Sequence, residues 1–439
     1  MRKPEKPPFL SASYDHAAGL SELVKRGRYL EFISLNQNKY LYWDKWKYKA
    51  KEWNMDPKML WAAVKTSRIG MQLSVDAFPV FSIASPALVQ RYLHECDMNL
   101  GGNMQGDSIV PVAEKDRYLI SSLMEEAIAS SQLEGADTAR KWAKEMLATN
   151  RKPRDVSEQM IVNNYAAMQW IVQNKHLPIS TENICSLHRI ITNNTLADAA
   201  EEGAFRTDNQ VAVRDTQTGE ILHQPPDFET IPQLIEAYCR LCNDKDEQPY
   251  FMHPITKGII LHFLMGYIHP FADGNGRTAR IVFYWYLVKK GYWLIEYMSV
   301  SRIILQSKAR YARAYLHTEM DGFDLTYFII YNLECIVRAL GDLKAHINRK
   351  TAEKKNLLNL LRNTNWNDRQ IAVLQEIVKD ASQSFTVQTI ESWFSVSNQT
   401  ARNDLAALVR AGILEERRSG RKILYLPVRN ALEKIEKGQ

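Results

Sequence analysis

The run His269-Pro270-Phe271-Ala272-Asp273-Gly274-Asn275-Gly276-Arg277-Thr278-Ala279-Arg280 constrains this 439-residue chain more than any other stretch. An apolar segment opening after Pro254 reads as a helix that has to end near Ile268, because Pro270 cannot continue it. Asp273-Gly274-Asn275-Gly276 then strings together residues that tolerate positive φ. This turn opens directly onto a second apolar helix, Arg277–Lys290, which Gly291 closes. A glycine-bearing loop at a helix N-terminus aims several backbone N–H groups at one spot, and the helix dipole favours negative charge there. The run therefore predicts a helix–loop–helix with an anion nest at its centre.

The side chains around that nest sort by chemistry. Asp273 is a hard oxygen ligand of the kind Mg²⁺ takes beside phosphates. Arg277 and Arg280, three apart on one helix face, suit a polyphosphate tail. His269, at the loop entrance, titrates near neutrality and suits a general base. A metal ligand, a base, an anion cradle and charge neutralisation together describe phosphate-ester chemistry.

The run resembles the Fic motif, HPFxDGNGRxxR, and agrees with it at every specified position. Similarity continues through Gly203-Ala204-Phe205-Arg206, Pro225-Pro226, His253-Pro254 and the segment from Tyr311 to Phe328, covering roughly residues 115–345. The resemblance implies a mainly α-helical fold with a small β-hairpin flap, transferring AMP from ATP to a Ser, Thr or Tyr hydroxyl of a target protein. By position His269 would be the base and Asp273 the Mg²⁺ ligand. Gly274, Asn275 and Gly276 would cradle the phosphates, with Arg277 clamping the chain and Arg280 binding the γ-phosphate. The flap, expected at about 210–223 from β-prone runs on both sides of Asp215-Thr216-Gln217-Thr218-Gly219, would dock the target segment by edge pairing.

Ser130-Ser131-Gln132-Leu133-Glu134-Gly135 resembles the family's inhibitory motif, in the class that carries it on an N-terminal helix. The resemblance implies that Glu134 pairs with Arg280 and blocks the γ-phosphate site, with Ser130 helping to hold it. Some members reuse this glutamate to align water and remove AMP, and the sequence leaves that open.

The rest of the chain divides the work. Apolar residues make up 45% and charged residues 24%, an ordinary globular composition that excludes collagen-like or wholly disordered chains. Three regions are expected: an N-terminal helical region at 1–110, a Fic domain with its inhibitory helix at 111–350, and a winged helix-turn-helix at 351–439. Helices are expected at Ser121–Leu133, Ser157–Gln173, Ile231–Cys242 and Ile255–Ile268, with a charged helix over Asp342–Leu361 and a Gly/Asn-rich connector over Asp97–Asn103. Between Tyr40 and Trp53, tryptophans alternate with lysines. Such a mixture suits either a nucleic-acid reader or a helix packing its aromatic face while its lysines stay solvated.

The net charge is +6, and residues 351–439 hold 14 Lys+Arg against 10 Asp+Glu. Most of the excess positive charge is therefore local to the tail. Its pattern resembles a winged helix over 366–428, where Asn398, Gln399, Thr400, Arg402 and Asn403 suit major-groove edges. Arg417, Arg418, Arg421 and Lys422 on the wing suit phosphates. Such modules also dock proteins or dimerise, so DNA, a protein partner and a homodimer all stay open. A second function class follows, a DNA-binding transcriptional regulator using the Fic core as a nucleotide sensor.

Five scattered cysteines read as reduced thiols, and Cys239-x-x-Cys242 has no second pair to make a zinc site. His253 and His262 read as packing or capping residues without a nearby carboxylate. No secretory signal is read at the amino terminus, and the longest uncharged run, Gly258–Ala272, is too short to span a bilayer. A cytoplasmic protein without a membrane partner is expected, one open to self-modification as well as to acting on a separate target.

Overall fold

The computed structural model describes residues 3–10, 16–101, 115–215, 218–245, 250–362, 366–379, 383–419 and 422–431. They form two compact units, Met1–Leu343 and Lys344–Gln439. The fold is mainly α, with three short two-stranded antiparallel sheets among the described residues.

The first unit opens with α1 (His16–Lys25), α2 (Tyr29–Asn38), α3 (Trp43–Glu52) and α4 (Pro57–Ser67). In α3 the aromatic face packs inward. Trp43 lies edge-on to Trp61 at 5.6 Å, and Trp46 meets Phe32 at 5.4 Å. The lysines between them stay at the surface, with Lys47 paired to Glu5 and Lys49 to Glu31 and Glu52. The tryptophans are thus spent on the core and are not offered to a base stack. Strands β1 (Met71–Leu73) and β2 (Phe81–Ile83) form a small hairpin that the sequence pattern does not announce. Its second strand also bonds the backbone of Phe323 and Leu325, which is what stabilises so short a pair. Helix α5 (Ala87–Leu100) continues through Asp97 to Leu100, so the expected connector begins as helix, and 102–103 lie outside the described residues.

Around the centre run α6 (Lys115–Leu133), α7 (Arg140–Ala148), α8 (Val156–Gln173) and α9 (Thr181–Thr192), then β3 (Val213–Arg214), β4 (Ile221–His223) and α10 (Ile231–Cys242). Two helices, α11 (Pro254–Ile268) and α12 (Asn275–Lys289), are buried on nearly every face, as all-round apolar helices are in a core. Pro254 occupies the first helical position of α11, and the His253 ring caps it by accepting the Ile255 N–H. The same ring reaches Asp97 at 2.9 Å, a carboxylate 156 positions away that the local sequence does not reveal. Helices α13 (Val300–Leu305) and α14 (Lys308–Met320) follow, and α15 (Thr326–Arg362) carries the chain into the second unit.

The second unit has α16 (Asp368–Lys379), α17 (Val387–Phe394) and α18 (Asn398–Arg410), then a hairpin of β5 (Leu414–Ser419) and β6 (Lys422–Pro427). Leu374, Ile377, Ile390, Leu405, Leu408 and Ile413 fill its core. Thr386 and Thr389 form a reciprocal cap at the start of α17, and Ser397 caps α18. Buried Asp404 holds this unit together, accepting from Asn367 Nδ2 at 2.8 Å and Arg369 Nε at 2.6 Å. Asp404→Ala leaves both donors without that partner. An expected loss of about 1–3 kcal/mol should appear as an earlier urea transition in this unit. An unchanged midpoint would contradict the assignment.

Candidate active site

The loop between α11 and α12 is held by its own backbone turns and by the Asn275 side chain. His269 ends α11 in a left-handed conformation, φ 48°, and Gly274 adopts φ 79° just before α12. A Cβ at Gly274 would come within 2.9 Å of Thr192 Cγ2 and 3.1 Å of His188 Nε2. The Asn275 side chain closes the loop on itself. Its Oδ1 accepts the Phe271 N–H at 2.9 Å, and its Nδ2 donates to the Phe271 carbonyl at 2.8 Å. Asn275 thus holds the nest in shape, with both amide atoms engaged.

Two residues outside the motif brace this loop. His188 on α9 stacks on Phe271 at 3.6 Å. Its Nδ1 accepts the Gly203 N–H at 3.0 Å, and its Nε2–H donates to the Asp273 carbonyl at 2.8 Å. Burial lowers its pKa to about 4, so the ring is neutral. Arg206 donates to the His269 carbonyl through Nε at 3.0 Å, and through its other nitrogens to Asp208, Asn209 and Pro226. One guanidinium thereby ties the motif loop to both ends of the β3–β4 hairpin.

Arg280 and Glu134 meet beside this loop. Arg280 is 2% exposed and receives partners from α6 and the turn after it. Its Nε donates to Ser130 Oγ and its Nη2 to the Ser130 carbonyl, both at 2.9 Å, while Nη1 lies 2.8 Å from Glu134 Oε1. Burial works against the Arg280 charge, but Glu134, Tyr311 and Glu126 together outweigh it, so the net shift is upward. The Glu134 carboxylate also rests on Gly276, where a Cβ would come within 2.2 Å of Oε1. A negative group therefore sits at the N-terminus of α12, where the helix favours one.

Arg277 is fully buried, bonded to the Ile191 carbonyl at 3.1 Å and 3.7 Å from Asp273. Its Nε has no partner. Burial lowers its pKa, opposed by Asp273 and Glu134. Asp273 keeps its side chain two-thirds exposed, with Oδ1 accepting the Gly274 N–H at 2.6 Å.

These groups face a cleft of about 320 Å³ whose lining includes Glu134, Val213, His269, Asp273, Arg280 and Tyr311. The His269 Nδ1–H donates to the Gly266 carbonyl at 3.1 Å, which leaves the Nε2 lone pair uncommitted. Burial pushes the His269 pKa below its ordinary value and keeps the ring in the base form. The β3 and β4 strands are shorter than the expected flap, two and three residues, with an irregular register between Val213 and Arg214. Residues 216 and 217 at its tip lie outside the described residues. Among the described residues no group of three or more His, Cys, Asp or Glu forms a metal cluster, and Cys239 and Cys242 are free thiols raised by burial.

Residues 178–287, which hold this loop and both helices around it, match the Fic/DOC family. The chain carries a Fic domain. A "Protein adenylyltransferase Fic" of Culex quinquefasciatus is 28% identical over 232 residues, covering 52% of this chain and 42% of that protein. Another so named, from Nematostella vectensis, is 34% identical over 114 residues, or 26% of this chain and 24% of that one. The chain thus spans less than half the length of these relatives. A solved Fic family protein from Desulfovibrio desulfuricans G20 aligns at 17% identity and a TM-score of 0.49, over 79% of this chain and 97% of that one.

Within the Fic domain, His269, Asp273, Asn275, Gly276 and Arg280 line one cleft, Arg277 is buried behind it against Ile191, and from outside the matched residues Glu134 lines the cleft while Ser130 holds Arg280 from beneath. Arg206 stands in the sequence only within the resemblance, and no pattern singles out His188. Their bonds to the loop span 63 and 85 positions, and nothing local signals them.

Nor does any local pattern single out Glu126, a buried carboxylate two turns before Glu134. This group accepts from the Tyr284 hydroxyl at 2.8 Å, the Ser299 hydroxyl at 3.0 Å, the Ser301 N–H at 3.0 Å and the Ser301 hydroxyl. In the separate second unit, Asn398, Gln399 and Arg402 are exposed at the start of α18, with Thr400 partly covered. Arg402 donates to Asn398 and Gln399 to Asn403 along the same helix. Arg417 and Arg418 are exposed on β5, and Arg421 lies outside the described residues.

Two buried histidines, His188 and His262, and the partly buried His317 give the first unit a pH signature. His188 and His317 have pKa values lowered to about 4 and His262 to about 3, each chiefly by burial. The unfolded chain takes up these protons below about 6.5 and the folded one does not, so stability falls as pH drops from there toward 4. Each contributes a slope of about 1.4 kcal/mol per pH unit in that window. Melting at pH 7.5 and pH 5.0 should show a marked fall, and equal midpoints would contradict the assignment.

Proposed function

We propose that this chain is a protein adenylyltransferase that moves AMP from ATP to a Ser, Thr or Tyr hydroxyl, restrained by Glu134. The observation that carries the reading is His269 with an uncommitted Nε2 facing a preformed anion loop, whose arginines include one unpaired buried nitrogen. The hydroxyl oxygen attacks the α-phosphorus and forms the new P–O bond. The bond from α-phosphorus to the bridging oxygen breaks, pyrophosphate leaves, and the hydroxyl proton passes to His269 Nε2. Asn275 and Gly274 hold the backbone N–H groups toward the phosphates, and Arg277 lends charge to the chain. Glu134 occupies Arg280, the group that would bind the γ-phosphate.

Asp273 fits the role of Mg²⁺ ligand, since its carboxylate is exposed at the cleft and one oxygen is oriented by Gly274. A cation held by this carboxylate would complete its shell with phosphate oxygens and water, as Mg²⁺ prefers. Bound there, Mg²⁺ would neutralise phosphate charge. Work in the reducing cytoplasm belongs to the same proposal, and the five free thiols support it. No helix among the described residues is long and apolar enough to cross a membrane.

Intact-mass analysis after incubation with Mg-ATP tests the reading. Addition of one AMP unit to the chain or to an added protein supports it, and UTP, GTP and CDP-choline in parallel define the donor. No adduct in wild type or in Glu134→Gly sinks it. A second reading, DNA binding by the C-terminal unit, is favoured by the exposed polar start of α18 beside exposed Arg417 and Arg418. Salt-dependent retention of the full chain on duplex DNA, lost in an Arg417→Glu/Arg418→Glu variant, would support it. Equal retention of both forms would reject it.

A further inference from the structure

The β3–β4 hairpin is fastened by one residue whose two ring nitrogens both face acceptors. His223 ends β4, opposite Val213 of β3, which lines the cleft. Its Nε2 lies 2.9 Å from the Tyr267 carbonyl, in the last turn of α11 and two residues before His269. Its Nδ1 lies 3.0 Å from the Glu319 carboxylate, in the last turn of α14. A carbonyl and a carboxylate accept but do not donate. Neutral imidazole carries one N–H, so it satisfies one of these partners and turns a lone pair on the other. Imidazolium carries two and satisfies both. We infer that His223 pins the hairpin to α11 and α14 as an imidazolium, so that alkaline deprotonation releases one of its two anchors and loosens the hairpin over the cleft.

The surroundings bear on that charge from every side. From α14 comes Glu319, and from the motif loop the neutral His269. From α11 comes the Tyr267 ring, tilted at 5.4 Å. Arg206 holds the hairpin's ends, and Lys3 reaches the Ile221 carbonyl on β4 at 3.4 Å. Burial alone would lower the His223 pKa, but the Glu319 and Tyr267 bonds outweigh it and the net shift is upward. A raised histidine contributes its anchoring fully below about 6.5 and loses it as pH rises through the folded value. His269 is shifted the opposite way, so a window opens, above the His269 pKa and below that of His223, in which the base is free and the anchor holds.

The consequence for a docked target rests on the proposed function, but the anchor is read without catalysis. Hydrogen exchange of the full chain, corrected for intrinsic rate, should follow the segment 208–226 between pH 6 and 9. Protection there should fall roughly tenfold or more on the alkaline side, while α11 stays protected. In Glu319→Gln the amide N–H donates to Nδ1 of neutral His223, whose Nε2–H keeps Tyr267, so protection should become independent of pH. His223→Leu should lose protection at every pH. A flat wild-type profile overturns the inference, as does a Glu319→Gln profile that keeps the wild-type fall. If exchange behaves as stated but no nucleotide is transferred at any pH, the proposed function fails and the anchor stands.

Discussion

Glu134→Gly is expected to raise transfer of α-phosphorus label from Mg-ATP by roughly 5–150-fold, the range of a coupling of about 1–3 kcal/mol. The Glu134 carboxylate is the acidic partner of Arg280 in the cleft, and it fills space beside Gly276 that a single added carbon would contest. Removing it frees the guanidinium for a phosphate oxygen. Arg280 keeps both Ser130 bonds, so the fold should survive with a modest loss of stability. Glu134→Gln separates charge from shape. It should activate if the ion pair carries the restraint, and less so if bulk at Gly276 does. Unchanged label incorporation in Glu134→Gly would remove the restraint from the account.

His269→Ala should lower transfer about 10²–10⁴-fold, the contribution of a positioned proton acceptor. The ring's Nδ1–H is committed to the Gly266 carbonyl, so the cavity side of the imidazole is the side that matters. Nucleotide binding should change little, because the anion loop is held by Asn275, His188 and Arg206 independently of this side chain. Equilibrium binding of ATP to Glu134→Gly and to Glu134→Gly/His269→Ala isolates the chemistry from the binding. Equal label incorporation in those two variants would show that His269 is not the base.

The parts of the fold legible in sequence are those written in local periodicity and punctuation. Helix α10 has the bounds expected from its apolar spacing. The break between α11 and α12 falls where Pro270 and the glycines demand it. The β1–β2 hairpin was not legible, because strands of three residues carry no usable alternation and theirs depends on the backbone at Phe323 and Leu325.

The candidate site divides the same way. The nest and its arginines lie within one turn and its helix, so spacing alone brings them together. Glu134 meets Arg280 across 146 positions, a contact reached through the resemblance and not through any local pattern. His188, Arg206 and Glu126 escaped for the same reason. Each is a polar residue on an otherwise ordinary segment, and its meaning appears when the chain folds over it.

Glu126 has a bearing on how quickly the restraint can lift. Its buried carboxylate, gripped by Tyr284, Ser299 and Ser301, moors α6 two turns before Glu134, so the helix is not free to swing away as a body. Glu134 itself follows the last residue of α6 and is one-third exposed. Letting go of Arg280 then needs a change of side-chain rotamer and no melting of secondary structure. Such flips take picoseconds to nanoseconds in exposed residues. On the proposed function, the Glu134–Arg280 pair would therefore open continually, and an activator would act by holding the open form for longer.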